Sequence, residues 1–273
     1  MEKAANVKFE HNSFGKRLKS MLAVDFRRMF RTPMFYIMIG VAVVIPVLVL
    51  VMTTTVGGTT KVDPKTGVET IVEVEPYTNT WQVVESIDGE GSGISTDMLS
   101  MCNINLLFFL AAVLVCIFVA DDFRSGYAKN LFAVRSKKTD YVISKTLVGF
   151  VGGVLMVLAY LVGAVIGGAV AGLSFDAGVA GVSGIVMCLV SKALLMAVFV
   201  PIYVALSVVG KQKLWLSMVG SFCIGMLFFM MIPMLTPLNS GVMNVMMCLI
   251  GGALFSVGLG AVSNTVLQKT SLV

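Results

Sequence analysis

Few residues that could do chemistry in this 273-residue sequence stand where chemistry would need them. The one histidine, His11, lies in a polar N-terminal segment well before the first apolar run. No Gly-x-x-x-x-Gly-Lys-Ser/Thr loop occurs, so the chain brings no phosphate cradle of its own. The five cysteines (Cys102, Cys116, Cys188, Cys223, Cys248) fall inside apolar runs without Cys-x-x-Cys spacing, which argues against a metal site and a disulfide framework. No cluster of His, Asp or Glu has catalytic spacing, and an enzyme is not expected. Two features remain. One is Lys192, alone in an uncharged apolar run. The other is Val119–Asp140, VADDFRSGYAKNLFAVRSKKTD, which crowds two adjacent acids and five bases between two such runs.

If its run begins near Val182, the Lys192 ammonium lies about 15 Å from the nearer surface, a position tolerated only when solvated or paired. It would then mark a wet cavity or a contact for an anionic substrate group. Alternatively, residues 178–191 form an interfacial segment and Lys192 snorkels outward, leaving only Ala193–Val209 to cross. Met218, Met226, Met230, Met231, Met234, Met243, Met246 and Met247 crowd the last two runs. Flexible methionine suits an adaptable apolar surface, and it also serves as lipid-facing filler. Lys192, Met226, Met230 and Met234 are therefore the candidate substrate path.

The elements that must position these residues are membrane helices. The chain is 57% hydrophobic and 13% charged, with a mean hydropathy of +0.93. About 20 apolar residues at about 1.5 Å each cross the hydrocarbon of a bilayer. Six runs qualify: 34–56, 98–120, 144–173, 182–209, 214–236 and 242–262. The first is too long and too polar in its approach for a signal peptide, and none alternates as a barrel strand would. Lysines and arginines in the connections set the orientation. Seventeen fall in 1–33, 121–145, the Lys211–Lys213 turn and the tail 263–273, against two, Lys61 and Lys65, in 57–97. Both termini and the 121–143 loop are thus expected in the cytoplasm of a multi-pass cell-membrane protein. The net charge of +5 reflects this topology and anionic lipid rather than a nucleic-acid partner.

Within 1–33, Leu18, Leu22, Phe26 and Met29 recur at helical spacing opposite a basic face, which predicts an interfacial amphipathic helix ending at Pro33. In 57–97, TTKV and VETIVEVE flank the turn signal DPKTG, which predicts a small hairpin. TWQVVESI reads as a short amphipathic helix and DGEGSG as flexible. About forty residues build little core alone, so this acidic cap should lean on the membrane or on a second copy. Gly163, Gly167, Gly168 and Gly172 offer close helix approach, within the chain or across a dimer seam. Pro46, Pro201 and Pro233 should interrupt or kink their spans. The fold class is all-α: six transmembrane helices, an N-terminal interfacial helix and a small extracytoplasmic cap containing a β-hairpin. No internal repeat is visible, and no span holds an Asp or Glu in its hydrophobic interior. Ion-coupled carriers usually place acids there, so uphill transport would draw its energy from elsewhere.

From Asp122 the order is an acid, Gly126, the apolar Leu131–Phe132, the basic Ser136–Lys137–Lys138 and then Lys145. This resembles the cytoplasmic loop between spans 2 and 3 of ABC transporter permease subunits of the type-2 export family. In that family the loop runs through an acid, a glycine, a short helix, a Pro-x-Ser-Arg turn and a lysine. The six spans, interfacial helix and inward termini extend the resemblance loosely over the whole chain. This sequence departs at the turn, with Val134 where proline is common and Lys137 in place of arginine. The resemblance implies that the loop docks on a separate ATPase subunit. Its contacts would lie at Asp122, Phe123, Arg124, Gly126, Tyr127, Lys129, Leu131, Phe132 and Arg135, the aromatic and apolar groups filling a groove and the bases meeting rim acids. A bare positive-inside anchor would explain the bases, but not Asp121, Asp122 or the aromatics.

The resemblance further implies a permease working with a second copy or a close relative and two ATPase subunits. ATP and magnesium would bind on those partners and no cofactor on this chain. Relatives of this size often export hydrophobic or amphipathic peptides, and similar lipophilic compounds fit as well. An ion-gradient-driven secondary carrier, with Lys192 as its site, and a non-transporting membrane scaffold or sensor working through the acidic cap are the alternatives.

Overall fold

The computed structural model describes residues 14–55, 59–62, 69–72, 77–85, 103–134, 138–178, 181–211, 213–229 and 231–269. His11, the DPKTG turn, the DGEGSG stretch, Cys102, Arg135, the Ser136–Lys137 turn and Met230 lie outside them.

Helix α1, Phe14–Arg31, lays Met21, Asp25 and Met29 against the bundle with Leu22 and Phe26 beside them, and keeps Lys16, Lys19, Arg27 and Arg31 exposed. Thr32 ends it, its hydroxyl donating to the Arg28 carbonyl at 2.9 Å. Pro33 then opens α2, Pro33–Thr55, at the position where a missing N–H costs nothing. A 3-10 turn, Ile104–Leu106, leads into α3, Leu107–Arg124. The short α4, Tyr127–Val134, follows, and then α5, Thr139–Ala171. The remaining helices are α6, Gly181–Gly210, α7, Leu214–Phe229, the one-turn α8, Ile232–Leu235, and α9, Val242–Lys269.

Five helices among the described residues are long and apolar enough to cross a membrane: α2, α3 with its leading turn, α5, α6 and α9. The expected fifth span, 214–236, is not one helix but two. Its long part, α7, has 16 residues. Pro233 lacks an N–H to bond the Phe229 carbonyl and its ring crowds that turn, so the helix stops and restarts as α8. Pro46 and Pro201, by contrast, sit inside unbroken helices. Pro201 frees the Ala197 carbonyl four residues before it, and the Ser256 hydroxyl of α9 donates to that oxygen at 3.0 Å.

The second span also differs. It begins its helical turns at Ile104 and continues to Arg124, so it absorbs four residues assigned to the loop. Strands β1, Thr59–Val62, and β2, Glu69–Val72, pair antiparallel with Thr59 opposite Val72. These two short strands do not amount to the expected β-hairpin-containing cap. Residues 77–85 of that segment instead enter the helical bundle. There TWQV is a 3-10 turn rather than the expected α-helix, capped by Asn79: its side chain accepts from Trp81 N, and Gln82 reaches back to Asn79 N.

Helix α5 is the central element, with α2 packed along its glycine stripe. A Cβ built on Gly163 would overlap the Val43 carbonyl, and one on Gly167 would approach Val47 Cα at 2.8 Å. The stripe therefore serves packing within the chain. Helix α9 packs on α6, where Gly252 faces Ala197, and leaves an apolar face of Val242, Met246, Ile250, Leu254 and Val257 exposed.

Gly163→Leu should cost about 2 kcal/mol or more, because backbone rather than a flexible side chain stands in the way. Gly40→Leu, on the partner helix α2 but with open space around it, should leave the melting temperature in detergent unchanged. Equal effects would show that α2 does not lie on the stripe.

Candidate functional site

At the α1 end, α3, α4 and α5 meet around one buried charge. Lys145, in the second turn of α5, is fully desolvated. Its Nζ donates to Asp25 Oδ1 of α1 at 2.9 Å and pairs with Asp122 Oδ2 of α3 at 2.7 Å. Asp122 Oδ1 lies 2.6 Å from Nη1 of Arg28, and Asp122 Oδ2 accepts from the Tyr141 hydroxyl at 3.0 Å. The Ser144 hydroxyl donates to Asp25 Oδ2 at 2.6 Å. Two acids and two bases thus neutralise one another, which is what makes their burial tolerable.

Aromatic rings close the cluster. Lys145 Nζ stands 3.8 Å from the Phe118 ring centroid, and the Arg28 guanidinium 4.1 Å from that of Tyr127. Burial works against the charge on Arg28, but Asp122 more than restores it and pushes the guanidinium above its ordinary value. Burial, reinforced by the Asp25 charge, pushes the Tyr127 phenol up, so it stays neutral under the cation. At the rim, Arg17 Nε donates to Asp140 Oδ2 at 3.0 Å.

The chain turns from α3 to α4 at Gly126, whose φ of +74° suits glycine. This sorts the nine expected docking residues. Asp122 and Phe123 point inward and are buried, Phe123 lying edge-on to Tyr141. They are lost as surface contacts because their helix continues through them and one face of it is the bundle core. Tyr127, Leu131 and Phe132 are half-buried, Phe132 against Tyr141. Arg124 and Lys129 are exposed, beside Asp121, Ser125 and Asn130. Lys138 Nζ donates to the Leu267 carbonyl at 2.6 Å and Thr139 to Asn264 at 3.2 Å, so the end of α9 joins the same assembly.

At the opposite end, Lys192 is fully buried and paired, which removes the snorkelling alternative. Its Nζ donates to Glu85 Oε2 at 2.8 Å, Asn105 Oδ1 at 2.9 Å and Thr236 Oγ1 at 3.1 Å. An ammonium has three protons, and all three are used. Glu85 arrives on segment 77–85. That segment is pinned by Thr80 N to the Ser174 carbonyl at 3.0 Å, Trp81 Nε1 to the Phe175 carbonyl at 3.2 Å and Asn79 Nδ2 to the Asp176 carbonyl at 2.7 Å. Thr80 sits directly over Gly168 of α5, and the Tyr160 hydroxyl donates to the Val83 carbonyl at 3.2 Å. The interior is therefore not free of acids: a residue from a polar connection supplies one. A lone intramembrane lysine was the signal that such a partner exists, but it did not say which of the acids in 57–97 it is.

Met226 and Met234 are exposed on the outside of the helices. A cavity of about 230 Å³ lies instead between α6, α7, α8 and α9, with Leu195, Phe199, Phe228, Met231, Leu235 and Phe255 in its wall. The four described cysteines are free thiols.

Asp122→Ala strands Arg28 and half of Lys145, and should cost about 3–5 kcal/mol in a detergent or nanodisc unfolding assay. Asp121→Ala, one residue away and exposed, should stay within about 0.5 kcal/mol of wild type. Similar losses for the two would remove the cluster's structural role.

Comparison of the chain with curated proteins and with solved structures gives no match. A family model, described as ABC-2 family transporter protein, matches residues 21–231. Those residues run from the bundle-facing side of α1 through both buried charge clusters to the α7–α8 break. With several membrane-crossing helices in that span, the chain is a multi-pass membrane protein of the ABC-2 transporter family.

Proposed function

We propose that this chain is the permease subunit of an ATP-driven exporter whose ATP and magnesium are bound by a separate ATPase, two copies of which serve two permease chains. The observation that carries the reading is the buried Asp25–Lys145–Asp122–Arg28 cluster, which ties the loop-bearing α3–α4 corner to both α1 and α5. A push on the exposed side of that corner would be delivered to a 33-residue helix that crosses the bundle. Arg124 and Lys129 are the groups on that side suited to meet acids on a partner. Tyr127, Leu131 and Phe132 support the corner from behind rather than reaching far into a groove.

In this reading the α1 end faces the cytoplasm, as the excess of bases there requires, and segment 57–97 lies outside the cell. The exposed apolar face of α9 suits a second copy or lipid. The cargo is hydrophobic or amphipathic, a peptide or a similar lipophilic compound, and the cavity beside α8 is its candidate apolar contact. The buried Lys192–Glu85 pair favours a second reading, a carrier driven by an ion gradient. Transport that continues after the proton and sodium gradients are collapsed would discard it.

The test is purification of the tagged chain from native membranes with ATP present, followed by mass spectrometry. Wild type should bring down an ATPase subunit near stoichiometry. Arg124→Glu with Lys129→Glu should lose it while leaving the melting temperature unchanged, since both side chains are exposed. Retention of the ATPase by this double variant would move the docking site elsewhere. Its absence from the wild-type sample would remove the ATP-driven reading.

A further inference from the structure

The Lys192 pocket has the parts of a ligand site already filled by the chain itself. Its acceptors Asn105 and Thr236 belong to elements packed in the bundle, while the carboxylate comes from Glu85, the last described residue of an inserted connection. The Asn105 side chain is fully buried, and its Nδ2 has no partner among the described residues. A second donor therefore sits on the same terminal group that already touches the ammonium. An orphaned buried amide donor is costly and asks for an acceptor.

The apolar cavity adjoins this pocket through Thr236. The Thr236 hydroxyl accepts from Lys192 and donates to the Ile232 carbonyl at 2.8 Å, and Ile232 lines the cavity. Leu195, one turn beyond Lys192 on α6, and Leu235 line it as well. It is a recess open on the side of Met231, Met247 and Phe255, and its free volume of about 230 Å³ is ample for an apolar group. An ammonium and a spare amide donor at one end, with an apolar recess at the other, match a carboxylate attached to a hydrophobic body.

We propose that this is a binding site for carboxylate-bearing amphiphiles, that Glu85 is its resident internal ligand, and that such a compound opens this end of the bundle by replacing Glu85 on Lys192. Exchange of one carboxylate for another leaves no charge stranded in the apolar interior. Simple withdrawal of Glu85 would strand Lys192. A neutral analogue cannot make the exchange, so the site selects for the anion. This deepens the permease reading by naming a cargo class, yet it rests on the pocket alone and is tested without ATPase or transport.

Trp81, four residues before Glu85 and edge-on to Phe175 with ring centroids 6.4 Å apart, reports on the segment. The chain has two tryptophans, so Trp215→Phe at an exposed site leaves Trp81 as the single emitter. In neutral-lipid nanodiscs, dodecanoate should shift Trp81 emission saturably to longer wavelength, and dodecanol should not. Glu85→Gln weakens the internal competitor and should tighten dodecanoate by about tenfold. Glu85→Gln with Lys192→Met carries no unpaired charge and should give no saturable shift. If that double variant does not fold, the other two comparisons decide alone. A short apolar peptide with a free C-terminus, run against its amide, distinguishes a peptide carboxylate from a fatty-acid one, and saturation by either supports the site. Equal responses to dodecanoate and dodecanol, a response retained in the double variant, or no gain from Glu85→Gln would each overturn it.

Discussion

The bundle depends on how it disposes of the ammonium of Lys145. That group is buried between Asp25 on α1 and Asp122 on the last turn of α3, with Arg28 closing the charge balance. A cation at that depth is tolerated only with such partners, and each partner is tolerated only because of the cation. The cluster cannot be assembled from one helix. It forces α1 against α5, carries α3 four residues past its apolar run, and fixes where the chain must turn at Gly126. The position of the exposed α4 corner is a consequence of that arrangement.

The opposite end uses the same physics with a different supplier. There the cation is Lys192 and the acid comes from a connection rather than a helix. One lock thus joins helices to one another, and the other joins the bundle to the connection that carries Glu85. The first suits transmission of force. The second suits opening, because the carboxylate that closes it can be exchanged. Between them run α5 and α6, with glycines where neighbours approach closely and Ser256 covering the carbonyl that Pro201 frees.

Much of this is visible in the sequence, because hydropathy is summed over twenty residues and local errors cancel. The apolar runs, the amphipathic α1 and the break before Pro33 follow from composition and spacing. Pro233 announced trouble in the fifth run, though not that the helix would stop at Phe229 and restart. The end of α3 was misplaced because Asp121 and Asp122 look like the start of a loop. Arg28 of α1 and Lys145 of α5 pair with Asp122, so the helix continues past it with Asp121 on its exposed side. Asp25 carried a signal that went unused: it sits four residues from both Met21 and Met29, on the buried face of an amphipathic helix. An acid in that position must meet a base. Glu85 carried none, since its pairing depends on how segment 77–85 threads over Gly168 and Ser174. Asp122 and Phe123 show the general difficulty at the site: a loop motif read along the chain does not say which side faces the core.

Asp25 and Lys145 couple α1 to α5. The most direct measurement is a double-mutant cycle with Asp25→Asn and Lys145→Met, read as unfolding free energy in nanodiscs. The double variant should lose less than the sum of the singles by at least about 1 kcal/mol, because each single leaves a buried charge without its partner. Additive losses would mean that the two residues stabilise the fold independently, and the link from α1 to α5 would fail with them.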